Sequence, residues 1–259
     1  MRRAHAILRA VTDASPWSYL LLAAVGFVAS VLNVVAAGGS FLTLPVLILL
    51  GAPSVEANGT NRLGVIAQNA SAVWGFHRHG VLDWPWALRA AVPAVAGALV
   101  GAWLALDVDD RAFRRILAVL MVLVTLWTLI DPLHKVRAAV VRSPFSPGVA
   151  VSLFLTGVYG GFVQAGVGFL LVAVTTVSGV DLLRGTAIKV FTIGALTIAA
   201  ALVLVWHGHV DWPSGMALAA GSLAGGAAGV RLAILKGSAW LRHVVTGTIV
   251  VFAVLLWVS

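Results

Sequence analysis

The chain has 259 residues, of which 61% are hydrophobic and only 10% charged, with a mean hydropathy of +1.03 and a net charge of +8. A soluble domain carries about 25% charged residues, so this composition excludes a water-soluble globular fold and marks an integral membrane protein. The basic excess is not a nucleic-acid footprint, because Lys and Arg fall in short loops between apolar runs, where membrane proteins concentrate them on the cytoplasmic side.

The apolar runs approach the roughly 20 residues that a helix needs to cross the hydrocarbon core. They lack the ten-residue alternation of a transmembrane β-barrel, so the expected class is all-α. In chain order the runs cover 18–50, 59–76, 84–106 and 114–131, then 148–178, 186–206, 212–234 and 242–258. The first run has no small-residue cleavage site flanked by polar sequence and is expected to stay with the protein rather than leave as a signal peptide. It is too long for one simple span, as is its counterpart at 148–178. Glycines interrupt both, at Gly38 and Gly39 and at Gly166 and Gly168. Glycine unwinds helices, and irregular backbone at membrane depth survives only where it is buried in protein or lines a cavity. A broken or re-entrant helix is therefore expected at each place.

The two sets of four runs share a pattern. A shift of 128 residues lays HGVLDWP (79–85) on HGHVDWP (207–213) and aligns Gly97 with Gly225, Gly101 with Gly229 and Arg114 with Arg242. The same shift aligns AG and FL of AAGGSFL (36–42) with those of QAGVGFL (164–170). With a small slip, NGTNR (58–62) falls on RGTAIK (184–189), which makes Arg62 and Lys189 near-counterparts. The organisation expected is a four-segment repeat over 1–131, a basic cytoplasmic linker over 132–147 and a second four-segment repeat over 148–259. Duplicated halves are a common construction in secondary transporters, with the substrate between them near mid-membrane. Counting each long run as one crossing gives eight spans and parallel repeats. That places Arg2, Arg3, Arg9 and Arg78 with the linker residues Lys135, Arg137 and Arg142 on one side. Folding each long run into a hairpin would invert the repeats and put the linker outside, against the charge bias, so the parallel arrangement is the one expected.

Polar residues in these runs are the candidates for chemistry. Asn58, Gly59, Thr60 and Asn61 read as the N-terminal turn of a helix, whose free amides and positive dipole end attract anions, and Arg62 adds a planar fork of donors. Gly185, Thr186 and Lys189 repeat the arrangement. The competing reading of Arg62 is a snorkelling anchor at the interface, which two matched cationic helix starts make harder to sustain. Gly38, Gly39 and Ser40, with Gln164, Gly166 and Gly168, supply an opposite wall of backbone amides and side-chain donors, unless those glycines serve only close helix packing. Gln68 is left open as a contact, and Asn69 is read as a hydrogen bond between helices. His77, His79, His207 and His209 lie in loops with no carboxylate cluster beside them, which argues against a metal site and leaves a proton role open. Asp83-Trp84-Pro85 and its repeat read as a helix cap. The Asn58-Gly59-Thr60 acceptor tripeptide carries no weight. With no cysteine, neither disulfides nor Cys-ligated metals are available.

AGGSFLTLPVLILLG (37–51) and ANGTNRLGVIAQNASAVWGFHRHG (57–80), supported by GFVQAGVGFLLV and GTAIKV in the second half, resemble the TauE/SafE family of sulfite exporter-like permeases across nearly the whole chain. The short glycine run Ala36-Ala37-Gly38-Gly39 departs from the longer one common in that family. The resemblance implies a bacterial or archaeal inner-membrane permease for sulfite, sulfonates or related organosulfur anions. The reading that follows is a secondary transporter working by alternating access. Arg62 and Lys189 supply charge, the two helix starts supply amides, and Ser40 and Gln164 supply side-chain contacts. Its partners are a small anionic substrate, the bilayer and a coupling ion (a proton or another), with no nucleic acid and no cofactor, and homo-oligomerisation is left open. The alternative class, a membrane-embedded enzyme acting on a lipid or small metabolite, needs a nucleophile with a base at membrane depth, and Ser40 has no evident base.

Overall fold

A computed structural model describes residues 16–36, 39–130 and 145–236, and within them the chain is helical and without strands. Gly38, most of the linker and the run at 242–258 lie outside the described residues. Nine helices are described: α1 (Pro16–Ala36), α2 (Ser40–Leu49), α3 (Ser54–Arg78), α4 (Trp84–Leu106), α5 (Asp110–Ile130), α6 (Pro147–Phe162), α7 (Val167–Val177), α8 (Leu182–Trp206) and α9 (Trp212–Lys236). By length and composition α1, α4, α8 and α9 are able to cross a membrane. The fold is thus the all-α, multi-pass class expected, and both over-long runs are broken where glycine interrupts them.

Local chemistry sets the boundaries. Asp83 accepts the Trp86 amide at 3.1 Å and Ser146 accepts that of Val149 at 3.4 Å, each followed by a proline in the first turn. Asp181 accepts from Leu183 and Arg184 at the start of α8. The expected cap at Asp83 is therefore present. At the far ends of α3 and α8, Gly80 and Gly208 take left-handed φ values of 65° and 76°, which close a helix at no steric cost.

Small residues let the helices approach in two parallel groups. Gly221, Gly225 and Gly229 of α9 lie against Ala23, Phe27 and Val34 of α1, while Gly64 and Gly75 of α3 meet Leu218 and Val230 of α9. Residue numbers rise together, so α1, α3 and α9 run the same way. Gly157 and Gly161 of α6 lie against Ala94 and Ala98 of α4. Trp84 stacks edge-on against Phe191, and Trp103 against His207, so α4, α6 and α8 run together in the opposite sense to α3. Each half's first helix is thus paired with the other half's third segment.

Chain direction corrects the expected topology. Ser18 and Tyr19, at the start of α1, share a cavity with Leu47, Leu50 and Gly51, at the end of α2. The long first run is therefore a hairpin rather than a single crossing: α1 rises about 31 Å and α2 returns about 15 Å. Three long helices, α3, α4 and α5, follow, and Phe145 at the start of α6 meets Trp86 at the start of α4, on the face opposite the start of α1. The second half begins on the opposite side from the first and runs inverted, not parallel. A run of apolar residues has a length but no direction, and the charge bias decided wrongly because basic residues occur at both faces, Arg111 and Arg115 at one and Arg78 and Arg184 at the other.

The inverted order has a direct check, since the natural chain offers a cysteine-free background. Single variants Asp107→Cys and His207→Cys should react with an impermeant thiol reagent from one face of sealed vesicles, and His79→Cys and Arg184→Cys from the other. A pairing of Asp107 with Arg184, and of His79 with His207, would restore the parallel order.

Candidate functional site

Helix α3 begins at Ser54, with Pro53 before it, four residues earlier than the polar sequence suggests. Its start is tied down from outside: the Ser54 amide donates to Asp110 and the Arg114 Nε donates to the Ser54 hydroxyl at 3.3 Å. Arg62 therefore lies about 12 Å along the helix rather than in its first turn. Asn58 to Asn61 are interior residues whose amides are inside the helix ladder. Gly185 is likewise spent, its amide donating to the Asp181 carbonyl at 2.8 Å. The expected pair of amide-lined helix starts is not what the structure presents, and what these helices aim inward is side chains.

Arg62 has no exposed surface, which rules out the snorkelling anchor. Its guanidinium donates to Gln164 Oε1 at 2.7 Å, to the Gly160 carbonyl at 3.3 Å and to the Gly161 carbonyl. Asn58 Nδ2 donates to the Phe162 carbonyl at 2.8 Å. Those three carbonyls end α6, where orphan acceptors and the negative end of the dipole collect. Lys189, 2% exposed, does the same for α1: its Nζ donates to the Asn33 and Val34 carbonyls, both at 2.9 Å. Each half thus sends a cation to the end of the other half's broken helix. Residue by residue, α3 and α8 are both 25 residues long with an offset of 128, and this register sets Lys189 opposite Asn61, one residue from Arg62.

Side chains extend each cap toward the middle. Gln164 Nε2 donates to Thr197 Oγ1 at 3.0 Å, and Gln164 holds φ at 64°, a left-handed value costly for a residue with a Cβ. Asn33 Nδ2 donates to Gln68 Oε1 at 3.1 Å, and Asn69 Nδ2 donates to the Val65 carbonyl at 2.9 Å. The Asn69 bond lies within its own helix rather than between helices. The described ion pairs, Arg114 with Asp110 and Arg184 with Asp181, lie at exposed helix starts. Arg62 and Lys189 are therefore held by neutral groups alone among the described residues. Two buried donors there have no acceptor, Arg62 Nε and Asn61 Nδ2.

Of the remaining expected residues, Gly39, Ser40, Asn61 and Gln68 line a small internal cavity. Thr60 instead accepts the Asp211 amide at 2.9 Å, and Gly59 packs against the His209 carbonyl. Thr186 donates to Leu182, Gly185 faces Thr175, and Gly166 takes the left-handed turn before α7, with Gly168 buried in its first turn. These support the backbone and do not join the cluster. Asn33, Thr43 and Thr197 escaped the sequence reading. Each is a buried polar residue in a lipid-length apolar run, a rare and costly placement that was the available signal.

A model of the family described as sulfite exporter TauE/SafE matches residues 22–256. The chain belongs to the TauE/SafE family. It is similar to a probable membrane transporter protein of Haemophilus influenzae, 30% identical over 232 residues that cover 87% of this chain and 89% of that protein. A probable membrane transporter protein of Sinorhizobium sp is 29% identical over 224 residues, 85% of this chain and 84% of its own length. The probable membrane transporter protein YfcA of Escherichia coli K12 is 28% identical, with 88% and 86% covered. No solved structure matches. This TauE/SafE protein is a multi-pass membrane transporter and not an enzyme.

Proposed function

We propose that the chain is a secondary transporter of a small anion, of the sulfite, sulfonate or related organosulfur class, in a bacterial or archaeal inner membrane. The observation that carries this reading is the pair of buried cations, Arg62 and Lys189, held by carbonyls and an amide without a carboxylate among the described residues. Neutral acceptors solvate a buried charge without cancelling it, and an uncompensated charge at membrane depth is expensive. An anion supplies the missing sign and an acceptor for Arg62 Nε.

Alternating access follows from the inverted construction. The halves 1–131 and 148–259 act as inverted copies, so exchanging their conformations exchanges the open face. Each cation ties its own half to the other half's broken helix, and loosening one cap while the other holds gives two end states, one open to each face. A proton or the membrane potential is the proposed driving force.

Flux into proteoliposomes tests the reading, with sulfite, taurine, sulfoacetate and sulfate compared. At least one sulfur oxyanion should move, and Lys189→Ala should lower its rate at least about tenfold, the loss expected for roughly 1.4 kcal/mol of binding or barrier energy. Transport of a cation or an uncharged solute in preference to every anion would overturn the assignment.

A further inference from the structure

Two cavities lie one behind the other in the bundle of α1, α2, α3 and α9. The outer one, about 240 Å³, opens at the face where α1 starts and is lined by Leu22, Leu47, Glu56, Thr60 and Ser214, among others. The inner one is about 10 Å³, and its polar lining is Ser30, Ser40, Thr43, Asn61, Gln68 and Ser222. All four helices contribute to both. On α2, Leu47 faces the outer cavity and Thr43 the inner one, a single turn apart. Leu22 and Leu47 line the outer cavity alone and Leu218 the inner one alone, each 2% exposed or less.

The inner lining selects a ligand by sign and by valence. It holds hydroxyls and amides but no carboxylate, and its Gln68 accepts from Asn33, whose carbonyl in turn accepts from the Lys189 ammonium, so a metal cation is disfavoured. Asn61 Oδ1 already accepts the Thr43 hydroxyl at 2.6 Å. That fixes Nδ2 as the free end of the amide, a donor 1% exposed with no acceptor. Ser222 donates only at 3.3 Å, to Gly26. A cavity of this size holds one water-sized atom, which suits a single oxygen of a larger anion while the remainder waits for the wall to move. The movable wall is α2, a ten-residue piece with Pro45 inside, which breaks one rung of its own ladder.

We propose that the inner cavity is the binding seat for an oxygen of the transported sulfonate- or sulfite-type anion, reached from the α1-start face through the outer cavity when α2 tilts away. Asn61 Nδ2 anchors that oxygen, and Ser30 and Ser222 contact it. The proposal rests on the anion reading given above and adds to it a location, a face and three residues.

The cysteine-free chain makes the test direct. In the full-length protein, Ser222→Cys places a near-isosteric thiol in the inner cavity, and sulfoacetate, which does not react with thiols, is the probe. Saturating sulfoacetate should slow modification of that thiol by a small charged methanethiosulfonate at least about fivefold. Equal rates with and without sulfoacetate, in protein that transports it, would overturn the seat while leaving the anion reading intact. Absence of flux for every sulfur oxyanion in the unmodified protein removes both together. A second arm separates binding from folding. Asn61→Asp keeps the shape and the acceptor for Thr43 but replaces the donor with a negative charge, and should raise KM for sulfoacetate more than tenfold in protein whose cooperative thermal melt shows it to be folded. A KM like that of the unmodified protein would also sink the seat.

Discussion

An Arg62→Ala variant should transport at least about a hundredfold more slowly than the unmodified protein, with a melting temperature lower by several degrees. The guanidinium bonds three groups of the other half, the Gly160 and Gly161 carbonyls and the Gln164 amide. Hydrogen bonds to a charged group contribute about 1.5–3 kcal/mol each, and about 1.4 kcal/mol is a factor of ten in rate. Losing the equivalent of one such bond in the transport barrier, together with the charge, accounts for the hundredfold. The melting shift has its own cause, because the carbonyls left behind face no water. Arg62→Lys keeps the charge but cannot span two carbonyls and an amide with a fork, so its rate should fall between the two, about tenfold down. Proteoliposome flux beside a thermal melt in detergent reads both effects. A rate within twofold for Arg62→Ala in well-folded protein would remove the guanidinium from the transport cycle.

Gly39→Ala should be the most damaging single methyl in the described chain near the site. A Cβ there would stand 1.8 Å from the Ala29 carbonyl oxygen and 2.6 Å from the Asn33 Cβ, both on α1. Neither is the flexible end of a side chain, so the hairpin must open by more than an ångström. Overpacking of this kind costs about 1–3 kcal/mol even where the surroundings adapt. Here it also displaces Asn33, whose carbonyl accepts from Lys189 and whose amide holds Gln68. Transport should be lost and the yield of monodisperse protein should fall sharply. Gly185→Ala is the milder comparison: its Cβ meets the Thr175 hydroxyl at 2.8 Å, a side-chain atom rather than backbone, whose move costs at most its bonds to the Leu171 and Val172 carbonyls. The two are separated by yield, melting and flux measured side by side, and equal behaviour would show that the α1–α2 contact is not as rigid as described.

How far the sequence disclosed this arrangement depends on what kind of information each feature needs. The all-helical class and the two breaks follow from run length and glycine placement, which are local. Arg62 and Lys189 stand out in the sequence because a cation in an apolar run is anomalous wherever it points. Their partners do not. Polar residues at 58–61 resemble a helix start, yet α3 starts at Ser54, where Pro53 and the tie to Asp110 and Arg114 fix it. Carbonyl acceptors at the ends of α1 and α6 are carried by backbone, which every residue has and no sequence pattern marks. Direction was lost for a related reason: whether residues after Gly38 continue upward or return depends on what α1 packs against, and that partner, α9, is nearly two hundred residues away.

The register of α3 against α8 bears on rectification. Lys189 holds the position that Asn61 holds in the other half, so the two ends are alike in backbone and unlike in chemistry. One cap is a guanidinium fork and the other a single ammonium, so under the proposed alternating access the conformations open to the two faces would differ in energy. A transporter built this way presents different half-saturation concentrations to its two sides, balanced by different maximal rates, and without an applied gradient it accumulates nothing. The gradient sets the direction of net flux, and which cap the bilayer orientation turns toward the more concentrated compartment sets only how fast that flux runs.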